Sequence, residues 1–473
     1  MSQSDLQPGI SAISLYLPRP RVELERWCAW TGAPWAKVGA VVGRSFRVCG
    51  PDENAYTMAA TAVLRLIRRN RLDHRRVGFL ALGTESSTDN AAGAVIVRGM
   101  VDAALREAGL PALARDCEVP EFKHACLGGI YAMKAAARWL ACDGRGRLAI
   151  VVSADIAEYR RGSSGEQTQG AGAVAFAMES EPKLLSLDLG HSGSASSYRG
   201  YDFRKPMVRH FLPDYRERDG GERLRDYPVF NGKYSTSCYI DEVVAALDHM
   251  FARLGVGIGD DRRPFYEQTA AVFMHRPYQH LPATALATAL CWDLARTPAT
   301  RGLLVELCAQ AGVSPEAVDA EVAHGRSDAD FDLWTEVAAR GPDHDPFPAI
   351  SAVARQFRAG SWFRSFADDK LALGAELVRE VGNLYTASLP AWLAAGFEQA
   401  RHQDQELAGA SILLIGYGSG DAAEAIPAKI MPTWRDAART IDFAQALADP
   451  HDLDREAYES LHDGDPIPGL HSA

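Results

Sequence analysis

The chain has 473 residues, 47% hydrophobic and 23% charged, with 41 Gly and 25 Pro. That globular composition excludes collagen-like, disordered and coiled-coil chains. Sixty-one acidic against 50 basic residues give a formal charge of −11, so no basic footprint marks a nucleic-acid partner. No stretch approaches the roughly 18 apolar residues of a membrane span. The polar residues 1–8 lack the basic-then-apolar order of a secretory leader. A cytoplasmic protein is expected, with no membrane partner, built as two domains or one large two-part fold. Only eight of the 50 basic residues are Lys, a bias toward Arg throughout. The eight cysteines form no C-x-x-C pair, which argues for a reducing compartment and against a disulfide framework or a metal site.

The first strand is predicted over 10–17, closed by Pro18 and Pro20, and a helix over 57–69 with Ala, Val, Leu and Ile on one face. A buried strand over 77–82 stops at Gly83. An Ala-rich helix over 125–140 and a buried strand over 148–153 repeat that order. Further strands are read at 171–178 and 183–189, and this alternation points to an α/β protein with covered sheets. Residues 198–225 read as a long surface loop and 240–254 as an amphipathic helix. A short strand at 270–273 ends at the turn His275-Arg276-Pro277. Residues 297–362, acidic and broken by Pro and Gly, look like an insertion. Helices at 371–381 and 387–401 follow, then a strand at 411–415 running into Gly416-Tyr417-Gly418-Ser419-Gly420.

Three residues stand where such a fold puts chemistry. Cys126 sits in His124-Ala125-Cys126-Leu127-Gly128-Gly129, before the Ala-rich helix. A helix N-terminus favours the thiolate and so a nucleophile, whereas most free cysteines are small core residues. Glu85 follows a buried strand, where partial desolvation suits a general acid–base; taken alone, the segment reads rather as a helix cap. His275, held by the Pro turn, is placed to hydrogen-bond a carbonyl. Residues 416–420 offer backbone N–H groups to an oxyanion but lack the length and Lys of a P-loop.

Taken together, these segments resemble the 3-hydroxy-3-methylglutaryl-CoA (HMG-CoA) synthase family of the thiolase superfamily. The resemblance rests on GISAISLYLP, PDENAYTMAATA, LGTESSTD, HACLGG, VVSADIAEY, GEQTQGAGAVA, YDFRKP, YPVFNGKYSTSCY, FMHRPY, GNLYTASL and GYGSG, in family order. It implies a thiolase-like five-layer αβαβα fold of two similar halves, over 8–181 and 182–473, and a homodimer. It further implies that Cys126 takes an acetyl group from acetyl-CoA, which is a substrate; no cofactor is permanently bound. Glu85 then removes a methyl proton, and the carbanion equivalent attacks the ketone of a β-ketoacyl (acetoacetyl-type) thioester before hydrolysis. His275 and Asn383 orient that acceptor, Ser419 binds the acyl oxygen through its N–H, and Tyr159 and Thr168 line the substrate site. Asp89, Asp155 and Asp202 fall in supporting motifs and are expected to orient the catalytic three.

The chain also departs from the family. Where the resemblance expects Lys two residues after the aromatic Tyr278, His280 stands instead; Arg276, Arg262 and Arg263 are the candidates to replace it in holding the thioester carrier. Asn-Ala-Ala-Gly after Asp89 is less polar than expected, and the insertion separates His275 from Asn383. All three departures touch the acceptor or carrier side. An HMG–acyl-carrier-protein synthase installing polyketide β-branches, or a relative in secondary metabolism, therefore stands beside the CoA-using enzyme of mevalonate supply. A non-catalytic thiolase-fold protein is the alternative of a different class.

Overall fold

The computed structural model describes residues 7–87, 89–199, 202, 228, 232–327, 332–341, 343–465 and 467. Most of the loop read at 198–225, with YDFRKP apart from Asp202 and the stretch 229–231, lies outside them. Thirteen strands run in chain order as β1 (Gly9–Tyr16), β2 (Pro20–Glu23), β3 (Ser45–Arg47), β4 (Val77–Gly83), β5 (Glu121–Phe122), β6 (Leu148–Ala157), β7 (Gly170–Glu179), β8 (Leu185–Leu187), β9 (Gly193–Ser196), β10 (Ala271–Met274), β11 (Ser411–Gly418), β12 (Ala422–Ile430) and β13 (His451–Asp452).

Nine of them follow one path, β10-β11-β12-β8-β1-β7-β6-β4-β5, with β9 paired to β12. The strand directions repeat along this path. In one half β4 is parallel to β6, then β7 and β1 follow antiparallel. In the other half β10 is parallel to β11, then β12 and β8 follow antiparallel. The continuous apolar runs in the sequence arise because β1, β4, β6 and β7 are buried on both faces over almost their whole length. Along β7, Val174, Phe176 and Met178 point into one core, while Ala173, Ala175 and Ala177 point into the other.

The second of those cores lies under the helices Ala55–Arg69 and Gly93–Glu107. The first encloses Gly128–Ala141 and Ser388–His402, which lie between the two halves of the sheet. The helix Lys233–Arg253 covers the far side of β11 and β12. This is the αβαβα layering the resemblance implies. A separate three-stranded sheet, β13-β2-β3, binds the end of the chain to its beginning, with the helix Arg455–Asp463 packed on Leu24–Thr31.

Several local expectations shift. The first long helix starts at Ala55 because Asn54 caps it, accepting from the Tyr56 and Thr57 N–H groups while Thr57 Oγ1 accepts from Asn54 N–H. The helix read at 125–140 begins only at Gly128. Residues 371–381 are not an α-helix: Gly374 adopts φ +73°, a Cβ there would lie 2.3 Å from the Gly396 nitrogen, and only a 3₁₀ turn at Leu377–Glu380 forms. The stretch read as an insertion folds into helices, among them Arg301–Ala311 and Pro348–Ala359. These pack on Leu281–Arg296 and add Leu304, Ile350 and Val353 to the main core. Among the described residues no helix is long and apolar enough to cross a membrane.

Candidate active site

Two contacts between backbones, each requiring glycine, assemble the site. A Cβ on Gly83, at the end of β4, would lie 2.4 Å from Gly129 Cα, so the strand end abuts the start of the Gly128–Ala141 helix. A Cβ on Gly418 would lie 2.4 Å from the His124 carbonyl and 2.8 Å from Leu127 Cβ, so β11 closes on the other side. Between them Ala125 takes φ +41°, a left-handed conformation that costs a non-glycine residue energy and concentrates at functional turns. Cys126 follows it and is 7% exposed. Its Sγ lies 3.4 Å from Glu85 Oε1.

Burial and the facing Glu85 carboxylate, with Asp155 behind it, push the Cys126 thiol well above its ordinary value. This runs opposite to the helix-terminus expectation. The thiol lies outside the helix and against carboxylates, and those charges dominate over a macrodipole that acts only near the first turn. The Cys126 thiol is therefore held in its neutral form, within hydrogen-bonding distance of the Glu85 carboxyl group.

Asp155, fully buried on β6, organises the surrounding loops. Its Oδ1 accepts from Thr84 Oγ1 (2.9 Å), Glu85 N–H (2.8 Å), Ser86 N–H (3.0 Å) and Ser86 Oγ (2.8 Å). Its Oδ2 accepts from Thr386 N–H (2.9 Å) and from the Thr386 hydroxyl. Burial raises its pKa while these bonds hold it down, and burial is the larger effect. The expected supporting role is thus a backbone anchor for Glu85.

One pocket is lined by Cys126, Tyr159, Thr168, His275, Asn383 and Ser419, together with Tyr239, Tyr278 and Tyr417. His275 is 2% exposed and burial lowers its pKa to about 3, so its imidazole is neutral. Its backbone is fixed by N–H donation to Ile415 (2.7 Å) and by the Tyr239 hydroxyl on its carbonyl (2.7 Å). Asn383 Oδ1 accepts from Tyr385 N–H (3.0 Å) and Ser388 Oγ (2.9 Å), which assigns its Nδ2 to other partners. Tyr159 is held from behind by Gln169 Oε1 on its N–H and His462 Nε2 on its carbonyl. Thr168 donates to Gly165, and Ser419 lies in the turn between β11 and β12.

Two aspartates behave differently from Asp155. Asp89 turns away from the pocket: its carboxylate accepts from the Tyr56 hydroxyl and Ala92 N–H, at the start of the Gly93–Glu107 helix. It ties the loop to the residue just before that helix, whose N-cap Ala92 makes no side-chain cap of its own. Asp202 acts at one remove. It accepts from the Tyr417 hydroxyl at 2.8 Å, and the Tyr417 ring stacks beside His275 with centroids 6.3 Å apart. Burial, then the neighbouring Asp421 carboxylate, raise its pKa well above the usual range. Arg199, buried with it, pairs with Asp421 at 3.1 Å and supplies positive charge to this cluster.

None of the arginines named for the carrier reaches the rim. Arg276 is 7% exposed, donates to the Ala375 carbonyl (3.0 Å) and lies 5.3 Å over the Trp392 ring; burial lowers its pKa to about 9. Arg262 is buried between Asp248 and Asp293, and Arg263 pairs with Asp261. All three are structural. Local sequence showed that they were basic, and for Arg263 even offered the partner Asp261 two residues away, but not that Asp248, Asp293 and Trp392 would enclose Arg262 and Arg276.

Sequence reasoning also missed Tyr239, Tyr417 and Thr386. All three lie inside quoted motifs, Tyr239 at the end of YPVFNGKYSTSCY, so membership of a motif was the signal available.

Residues 5–183 match the family description "Hydroxymethylglutaryl-coenzyme A synthase N terminal" and 362–462 match "Hydroxymethylglutaryl-coenzyme A synthase C terminal". The chain is 26% identical over 425 residues to a hydroxymethylglutaryl-CoA synthase of Haloferax volcanii, covering 87% of this chain and 81% of that one. It is 27% identical to the cytoplasmic enzyme of Gallus gallus, covering 88% and 70%. Among solved structures it is similar to MvaS in complex with 3-hydroxy-3-methylglutaryl coenzyme A, with TM-score 0.74 and 28% identity over 98% of this chain and 94% of that one. The fold also matches the HMG synthase of the curacin biosynthetic pathway, with TM-score 0.67 and 19% identity over 96% and 88%.

Proposed function

Because the chain belongs to the hydroxymethylglutaryl-CoA synthase family of acyltransferases, we propose that it joins an acetyl unit to the ketone of an acetoacetyl-type thioester through Cys126. The observation that carries this reading is the 3.4 Å contact between Cys126 Sγ and Glu85 Oε1 at a pocket that also holds His275 and Asn383. Acetyl-CoA enters as a substrate. As Cys126 Sγ attacks the acetyl carbonyl, its proton passes to Glu85, so no free thiolate need persist in a site that raises the thiol pKa. The S–C bond to CoA breaks and the leaving sulfur takes that proton from Glu85, which returns to the carboxylate the second stage needs. Ser419 N–H faces the carbonyl oxygen where negative charge develops.

In the second stage Glu85 removes a proton from the acetyl methyl, and the carbon attacks the acceptor ketone. A C–H acid beside a thioester is weak, so the base must be positioned and the charge stabilised together. The neutral His275 donates its ring N–H to the ketone oxygen, and Asn383 Nδ2 holds the acceptor. Water then cleaves the thioester to Cys126. CoA is the carrier we assign, since a solved relative at 28% identity is in complex with 3-hydroxy-3-methylglutaryl coenzyme A. A carrier-protein-bound acceptor remains the alternative outcome of the test.

Intact-protein mass spectrometry after mixing with acetyl-CoA tests the first stage. One acetyl group should appear, and Cys126→Ala should abolish it while the protein stays folded. Labelling that survives in the variant removes Cys126 from the mechanism. Challenge of the acetylated protein with free and carrier-bound acetoacetyl thioesters then identifies the acceptor.

A further inference from the structure

A second cleft, about 1380 Å³ including its open mouth, continues from the catalytic pocket and shares Thr168, Thr236 and Tyr278 with it. The charged side chains lining it are Lys233, Asp345, Arg355 and Arg358, an excess of positive charge in a chain that is acidic overall. Arg355 and Arg358 stand one turn apart on the Pro348–Ala359 helix, so they share a face. Among the described residues neither they nor Lys233 pairs with a carboxylate, whereas Arg262, Arg296 and Arg301 all do. Arg358 is half-buried and its Nη1 donates to the Thr284 hydroxyl. Burial and the neighbouring Arg355 both depress its pKa, the situation a bound anion relieves. Arg358 also acts electrostatically on His280, the residue standing where a Lys was expected.

We propose that Arg355 and Arg358, with Lys233, hold a phosphate at the outer end of the pantetheine arm whose thioester reaches Cys126. The inference rests on the thioester reading above and deepens it. Arg355 and Arg358 stand on a helix lying outside both family-matched stretches. Arg suits this role because its planar fork meets two phosphate oxygens at once. Two sources share this chemistry: the nucleotide end of CoA, and the phosphodiester of a carrier protein's pantetheine arm.

Calorimetric titration of the full chain with CoA, 4′-phosphopantetheine and pantetheine tests it without requiring turnover. The double variant Arg355→Ala/Arg358→Ala should bind CoA on the order of tenfold more weakly, the scale of a charge-assisted bond partly open to water. Pantetheine, which has no phosphate, should bind unchanged, and Arg355→Lys/Arg358→Lys should retain most of the CoA affinity. An equal loss with 4′-phosphopantetheine places the arginines on the phosphate common to CoA and a carrier arm. A loss with CoA alone places them on the nucleotide. Unchanged CoA affinity in the alanine double variant overturns the proposal, as does a wild type that binds CoA no better than pantetheine. If CoA binding behaves as expected but Cys126 is never acetylated, the proposed function fails and the phosphate site stands.

Discussion

Asp155→Asn separates shape from charge at the residue that accepts the Glu85 N–H. The side chain is fully buried and receives four bonds on Oδ1 and two on Oδ2. An Asn oxygen must stay on the four-donor side, so its NH₂ faces Thr386. The Thr386 hydroxyl can adapt, because it already donates to the Gly83 carbonyl at 3.0 Å and can accept from the new amide. The Thr386 N–H cannot adapt and is left buried against a donor, at a cost of about 1–3 kcal/mol. The four remaining bonds change from charge-assisted to neutral and weaken, while relief of the buried charge offsets part of that loss. The sum is about 2–4 kcal/mol, a large fraction of a typical stability. Urea denaturation should show a lower midpoint at unchanged slope. Condensation should fall more than Cys126 acetylation, since the Glu85 N–H bond is among those weakened. A variant within about 0.5 kcal/mol of wild type that condenses normally would refute the claim that Asp155 sets the position of Glu85.

Glu85→Gln removes a carboxylate that raises the Cys126 thiol, so the pH profile of iodoacetamide alkylation should move to lower pH. Condensation should fall on the order of 10²–10⁴-fold, and unchanged condensation would assign the base elsewhere. His275 has a folded pKa of about 3 against an ordinary 6.5, so the unfolded chain takes up the proton first. Its stability contribution is full above about pH 6.5 and is lost as the pH falls toward 3, at up to about 1.4 kcal/mol per pH unit. His275→Gln should flatten that slope in urea melts, and identical profiles would contradict a buried neutral imidazole. Gly418→Ala forces a Cβ to within 2.4 Å of the His124 carbonyl. It should cost about 1–3 kcal/mol or more and slow Cys126 acetylation, an outcome that normal labelling would exclude. Arg276→Ala should lower the thermal midpoint with no change in KM for acetyl-CoA, because that guanidinium is packed on Trp392 inside the fold; a raised KM at unchanged stability would return it to the rim.

The α/β class was legible because strands buried on both faces write themselves as apolar runs, as in LAIVVS of β6. Boundaries failed where one long-range contact outweighed local preference. Residues 371–381 are periodic enough for a helix, yet Gly374 must pass against the backbone at Gly396. Motif order named Cys126, Glu85 and His275, and the fold brings Cys126 and Glu85 into contact and sets His275 in the same pocket; that Asp155 ties the Glu85 and Thr386 backbones together came only from the structure. Asp89 was read with the site because a loop carboxylate beside a site motif looks the same whichever way it turns until its partners, Tyr56 and Ala92, are known.

Arginine shows the division most sharply. The sequence by itself determined the apolar layers, the glycines that must accept close backbones and the residue types at the catalytic turn, since each of these follows from local pattern or steric necessity. Which arginines remain available to a ligand was decided only by the tertiary structure. Arg276 and Arg262 sit near the His motif in the chain, yet folding encloses one over Trp392 and the other between Asp248 and Asp293. Arg355 and Arg358, far along the chain in a stretch that looked like an inserted segment, come to line the cleft beside Thr168 and Tyr278. A side chain's charge is a property of its residue, but its freedom to bind depends on the counter-charges and apolar surface that long-range packing brings to it.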